Sequence, residues 1–188
     1  MEFLEMRKVD EGKFICRYDV DYKTSLGNIK TYEMISRDKN MKSQADLEKD
    51  GNADAVILIV HSKDNDKILL NKEFRMAVGK SVFNFPAGLV DPGETVEVSA
   101  KRELFEETGL DLIKIDEVLP LCYSAVGVTN ETSVCIIGVA EGEFKPSTSD
   151  EEEIEAGWYT RSEVLELMKT EPFAARTQAY CYMWAKNL

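Results

Sequence analysis

The chain has 188 residues, 44% of them hydrophobic, and carries 35 acidic against 23 basic side chains for a net charge of -12. That is enough for one ordinary domain with a small appendage, and enough apolar content for a packed core. The acidity excludes nonspecific nucleic-acid binding, which depends on basic contacts to phosphate; a phosphate-ester substrate would call for a bound divalent metal and local arginines.

The N-terminus, Met1-Glu2-Phe3-Leu4-Glu5, lacks the basic-then-apolar form of a signal peptide. Residues 13–36 read as a β-hairpin. Phe14, Cys16, Tyr18, Val20 and Tyr22 alternate with polar residues, and Ser25-Leu26-Gly27-Asn28 supplies the turn. A polar stretch, 37–50, then reads as a linker or surface excursion. A sheet of two or three strands with one apolar face cannot stand alone, so it must pack on the main domain or on another subunit. The domain division expected is 1–50 for this sheet and linker and 51–188 for the main domain.

Residues 55–60 and 67–74 read as buried strands around the turn Asp64-Asn65-Asp66. A short strand covers 82–85 and stops at Pro86, and Asp91-Pro92-Gly93 is a turn. A helix is expected over 95–108, with Thr95 as N-cap and Gly109 as its stop. Strands follow near 113–122, 132–140 and 154–159. Thr160 and Glu163 form a capping box before 164–168, and 173–187 reads as a terminal helix beyond Pro172.

The cysteines, Cys16, Cys122, Cys135 and Cys181, are widely spaced, with no Cys-x-x-Cys pair and no nearby histidine, so zinc is not expected. Cys135 lies in an apolar run and reads as a buried reduced thiol, a pattern that fits a cytoplasmic protein. The longest apolar runs, 55–60 and 134–140, are too short to span a membrane. His61, alone near a turn, has no partner in sequence and is assigned no role.

Chemistry concentrates on the helix over 95–108. Glu103 and Glu107 fall on one line of its surface, with Glu106 one step aside. Val96, Ala100 and Leu104 lie close to that line, so the acids border a core-facing stripe. Acids crowded at these spacings repel, and a buried border penalises their ionised forms. A bound Mg2+ or Mn2+ relieves both costs, because hard cations take oxygen ligands.

The longer segment runs Gly88-Leu-Val-Asp-Pro-Gly-Glu94, then seven residues, then Arg102-Glu103-Leu104-Phe105-Glu106-Glu107-Thr108-Gly109-Leu110. It matches G-x5-E-x7-R-E-U-x-E-E-x-G-U, U being aliphatic, at every fixed position, and so resembles the signature of the Nudix hydrolases. The resemblance implies an α/β/α sandwich with a mixed central sheet, here with a small N-terminal antiparallel β-sheet. It implies Glu103 and Glu107 as the main metal ligands and Glu106 as a further one, directly or through water. The backbone carbonyl of Ala87 or Gly88 would complete the site, and Arg102 with Glu94 would orient the acids. Metal-activated water would cut a nucleoside diphosphate linked to a moiety X.

Three further segments resemble the ADP-ribose pyrophosphatase group. In Asn71-Lys72-Glu73-Phe74-Arg75, Arg75 matches an arginine that meets the diphosphate. Tyr32-Glu33-Met34-Ile35-Ser36-Arg37 matches an aromatic-Glu-x-x-x-Arg segment whose aromatic stacks on adenine and whose arginine helps hold the ligand. The loop 125–131 resembles a Ser-Pro-Gly-x-x-x-Glu loop, which makes Glu131 a candidate for a ribose hydroxyl. Here position 126 is valine where the group carries proline, so its φ angle is not fixed. The acidic run Asp150-Glu151-Glu152-Glu153 matches the group's late loop, and Glu152 and Glu153 are the candidates for general base.

The resemblance implies an enzyme that converts ADP-ribose and water to AMP and ribose 5-phosphate, with other ADP-sugars or GDP-mannose as alternatives. It also implies a homodimer formed through the N-terminal sheet. A non-cleaving ADP-ribose sensor is the competing class, but such sensors tend to lose box carboxylates and all are present here. A DNA-binding regulator would need a basic extension, which does not follow the box. A nucleoside triphosphate pyrophosphohydrolase fits the N-terminal sheet and Phe74-Arg75 less well.

Overall fold

The period-two pattern from Cys16 onward buries Cys16, Tyr18 and Val20 on one face of β2 (Cys16–Lys23). In the computed structural model, which describes residues 1–48, 51–149 and 152–188, β2 pairs antiparallel with β3 (Ile29–Ser36) from Cys16↔Ser36 to Lys23↔Ile29. Gly27 turns the chain between them at φ 83°, a value that favours glycine. Phe14 lies ahead of β2 and is exposed, so the buried alternation starts two residues later than expected, at Cys16. The other edge of β2 holds β1 (Glu2–Glu11), a strand the sequence did not announce. Only Phe3 and Met6 of β1 are even partly buried, so it shows no alternation to read.

The chain divides into two compact units, 1–54 with 121–133, and 55–120 with 134–188. In the first, the stretch after β3 is more than a surface excursion. Met41 is buried with Cys16, Tyr18, Val20 and Met34, and Leu47 packs against the same cluster. Tyr18 donates its hydroxyl to the Asp38 carbonyl at 2.7 Å, which lets a tyrosine be fully buried. The Ile35 N–H donates to the Val128 carbonyl at 2.9 Å, and Ile35 bridges Thr129.

The second unit carries the larger sheet. Its strands are β4 (Ala55–His61), β5 (Lys67–Arg75), β6 (Lys80–Asn84), β7 (Ala87–Leu89), β8 (Asp111–Val118), β11 (Ile154–Thr160) and, from Val134 onward, β10 (Thr132–Glu141). The order is β11-β5-β4-β10-β8, with β6 on β5 and β7 on β4. The strand expected near 113–122 is two pieces: β8 stops at Val118, and β9 (Cys122–Tyr123) starts beyond Pro120, which has no N–H for a ladder.

Helix α1 (Val96–Thr108) lies against one face of this sheet, while α2 (Arg161–Leu167) and α3 (Ala175–Lys186) cover the other. Ile57, Ile59, Ile68, Leu70, Phe83 and Phe85 face Val164 of α2 and Cys181 and Ala185 of α3. The intervening Val56, Leu58, Val60 and Leu69 are also fully buried, so β4 is apolar on both faces. The unit is an α/β/α sandwich with a mixed central sheet, and the N-terminal sheet is small and antiparallel.

The expected caps hold. Thr95 accepts from the Val98 N–H, and Gly109 closes α1 at φ 78°. Thr160 and Glu163 exchange both bonds of their box. His61 is a packing residue: it is buried, with Nε2 3.0 Å from the Tyr180 hydroxyl. All four cysteines are free thiols, and Cys135 is half-buried where full burial was expected. Among the described residues, no helix is long and apolar enough to cross a membrane.

Candidate active site

Helix α1 buries Ala100 and Leu104, and this places Glu103 and Glu107 at the margin of the core. Glu107 is buried; Glu103 and Glu106 are intermediate. Gly88 lies against the Glu103 carboxylate so closely that a methyl there would overlap it. A side chain at position 88 would have to push that carboxylate aside. The same stretch, as β7, pairs with β4 through Ile57↔Ala87 and Val56↔Gly88, which fixes the loop before α1 to the sheet.

Arg102 is the hub of the segment. Its Nε and Nη2 donate to the Glu94 carboxylate at 2.9 to 3.2 Å, and Nη2 also donates to the Leu89 carbonyl at 3.0 Å. Its Nη1 donates to Glu103 at 2.7 Å and to Glu106 at 3.2 Å. Glu94 further accepts from the Ser99 hydroxyl at 2.6 Å. The Arg102 guanidinium and this hydroxyl hold the Glu94 carboxyl down to about 2. The carboxylates raise the Arg102 pKa above its ordinary value, chiefly through the Glu94 bonds.

Glu107 is held differently. Asn71 Nδ2 donates to its Oε2 at 2.8 Å, and this donor is neutral. Burial, then the charges of Glu103, Glu73 and Glu152, push the Glu107 carboxyl well above the carboxylate range. Burial also raises Glu103, against the pull of Arg102. Among the described residues, no three acidic, thiol or imidazole side chains already converge on one point, because Glu103 and Glu106 are turned to Arg102. The donor set nonetheless fits a hard divalent cation. It consists of carboxylate oxygens, one of them buried beside like charges with a neutral donor.

Sequence reasoning missed Asn71 and Glu73, which share a face of β5 with each other by alternation. The available signal was an amide directly after the aliphatic run Ile68-Leu69-Leu70. Glu73 also pairs with Arg75, whose guanidinium is otherwise half exposed at the end of β5. The Phe74 N–H donates to the Glu153 carbonyl at 3.0 Å, and Ile154 pairs with Glu73. This ladder carries the late acidic segment to the box side of β5. The Glu152 charge acts on both Glu103 and Glu107. Glu153 is exposed. Asp150 and Glu151 lie outside the described residues.

In the first unit, the structure joins the other group of expected residues. Arg37 Nε donates to Glu131 at 2.9 Å, and the Tyr32 hydroxyl donates to the Gly127 carbonyl at 2.7 Å. Tyr32 lines a cavity of about 280 Å³ together with Val20, Tyr22, Tyr123, Val126 and Val128. The Val128 and Thr129 N–H groups both donate to the Ala125 carbonyl, so hydrogen bonds close the turn that proline would otherwise fix. Glu33 stands apart, exposed, with Arg17 3.3 Å away.

A family model described as the NUDIX domain matches residues 51–181. The chain is 33% identical over 141 residues to the ADP-ribose pyrophosphatase of Saccharomyces cerevisiae, covering 74% of this chain and 58% of that protein. It is 28% identical over 142 residues to the ADP-sugar pyrophosphatase of Mus musculus, covering 73% and 62%. The chain thus spans about three-fifths of the length of these curated relatives. A crystal structure of an ADP compounds hydrolase superposes with a TM-score of 0.73 at 18% identity, covering 100% of this chain and 94% of that one, which speaks to the fold. The family match over the box and both flanking helical layers settles the affiliation: the chain belongs to the Nudix hydrolase family.

Proposed function

We propose that the protein hydrolyses the diphosphate of a nucleoside diphosphate linked to a moiety X, with ADP-ribose as substrate and AMP and ribose 5-phosphate as products. The observation that carries this reading is the acidic cluster on α1: buried Glu107 with a neutral donor from Asn71, beside Glu103 and Glu106 on the Arg102 hub. Glu103, Glu106 and Glu107, with the Ala87 or Gly88 carbonyl, would hold Mg2+ or Mn2+. When bound, the cation supplies charge neutralisation on the diphosphate and a water of lowered pKa.

The remaining roles belong to the chain. Arg75 grips the diphosphate, Tyr32 stacks on the base, and Arg37 with Glu131 orients the ribose. Water oxygen bonds to phosphorus, the anhydride P–O bond breaks, and Glu152 accepts the water's proton. Glu152 is preferred over Glu153 because its charge acts on Glu103 and Glu107.

The deciding experiment is a panel of ADP-ribose, other ADP-sugars, GDP-mannose and nucleoside triphosphates with Mg2+ or Mn2+, with products separated by chromatography. ADP-ribose should give the highest kcat/KM and equal AMP and ribose 5-phosphate. Preference for a triphosphate would overturn the substrate class, and binding of ADP-ribose without cleavage would favour a sensor. In the same assay, Arg75→Ala should raise KM about tenfold with kcat nearly kept, whereas Glu152→Gln should lower kcat by about 10²-fold with KM nearly kept. The reverse split would exchange the two roles.

We also infer a homodimer through the N-terminal sheet in a reducing, cytoplasmic setting, in keeping with four free thiols. Sedimentation equilibrium should return twice the chain mass of 21.3 kDa, and a mass of one chain would exclude the dimer.

A further inference from the structure

We propose that Asn71 is a positioning residue that fixes the Glu107 carboxylate for the cation, an inference that rests on reading Glu107 as a ligand. The amide is out of place by packing criteria. Ile68, Leu69 and Leu70 just before it are fully buried, and Asn71 itself is 1% exposed. A strand interior of this kind normally takes an aliphatic side chain, and a buried amide is costly unless bonded. Asn71 makes one side-chain bond, Nδ2 to Glu107 at 2.8 Å, and Oδ1 accepts none among the described residues. Half of the amide is therefore left unsatisfied, and stability alone gives no reason to keep it.

Its placement gives that reason. Asn71 stands where β5 is paired on both edges, opposite Asn84 of β6 and Ala156 of β11. A donor mounted on such a platform has little freedom. The bond reaches 36 residues along the chain to the last turn of α1 and ties that turn to the sheet. A neutral donor orients an anion without cancelling its charge, so a cation remains in demand there. Glu103 and Glu106, by contrast, are held by the guanidinium of Arg102, which competes with a metal for them. Glu107 is the ligand kept ready, and Asn71 is what keeps it so.

The test is Mn2+ affinity, read as free Mn2+ by electron paramagnetic resonance, across a double-mutant cycle of Asn71→Leu and Glu107→Gln. Leu matches the size of Asn and removes the donor. Asn71→Leu should weaken Mn2+ binding by about tenfold in the parent chain, and by no more than about twofold in the Glu107→Gln background. The metal concentration for half-maximal turnover should rise by the same factor. Asn71→Ala, which adds no apolar bulk, should repeat the loss, and it serves if the leucine variant does not fold. Unchanged affinity, or an equal loss in both backgrounds, would overturn the proposal. If Glu107→Gln itself leaves affinity intact, the ligand reading of Glu107 fails first, and the role of Asn71 falls with it.

Discussion

Replacing Glu107 by Gln should lower Mg2+-dependent turnover by on the order of 10³-fold and raise the Tm of the metal-free protein. The two effects have one cause. The Glu107 carboxylate is buried, faces the charges of Glu103, Glu73 and Glu152, and receives a neutral donor from Asn71. Without a cation its ionised form is penalised, and an amide of the same shape removes that penalty while keeping an acceptor for that donor. The Tm gain should be on the order of 5 °C at pH 8, read by calorimetry in the presence of a chelator. The sign with pH follows. The folded pKa lies above the unfolded one, so the stability linked to the protonated carboxyl is present below about 4.5. It is lost as pH rises through the folded value. The gain from Glu107→Gln should therefore shrink toward pH 4. A metal-free variant that melts lower than the parent at pH 8 would contradict the buried-charge account, and normal turnover would remove Glu107 from the site.

Replacing Arg102 by Ala should do the opposite to stability. Arg102 bonds Glu94, Glu103, Glu106 and the Leu89 carbonyl, so its loss leaves three carboxylates without their shared cation. Breaking a partly buried network of this kind costs about 2–4 kcal/mol, which corresponds to roughly 5–12 °C in Tm for a chain of this size. Lysine should recover little, because one ammonium cannot reach four acceptors in the plane that a guanidinium serves. Glu94, held at about 2, carries the opposite pH sign to Glu107. Its contribution is present above the ordinary glutamate value and is lost as pH falls toward 2. Acid melting of the parent should show that loss, and Arg102→Ala should flatten it. Added Mn2+ should restore part of the Tm of the variant, since a divalent ion can stand in for the missing charge. A variant with unaltered Tm would show that the network does not stabilise the fold.

Much of this molecule was legible from order alone. The box helix, its Thr95 and Gly109 caps, the capping box at Thr160 and the hairpin alternation from Cys16 to Val20 are local signals, set by short-range backbone geometry and by which side chains a helix or strand puts on one face. The reaction family was legible for the same reason, because its acids are neighbours on a single helix. Strand β1 was not, since an exposed edge strand needs only a partner and leaves no periodicity behind. The contribution of Asn71 was not either. Sequence shows an amide ending an aliphatic run, but only the folded sheet brings it 2.8 Å from a carboxylate 36 residues away. Likewise Tyr32, Arg37, Gly127 and Glu131 are distant in sequence and meet only because β3 runs beside the loop at 125–131. Short-range rules encode the helices, most strands of the larger sheet and the spacing of the box acids. Which donors hold each acid is set by the folded sheet, because desolvation and hydrogen bonding depend on neighbours that chain order does not name.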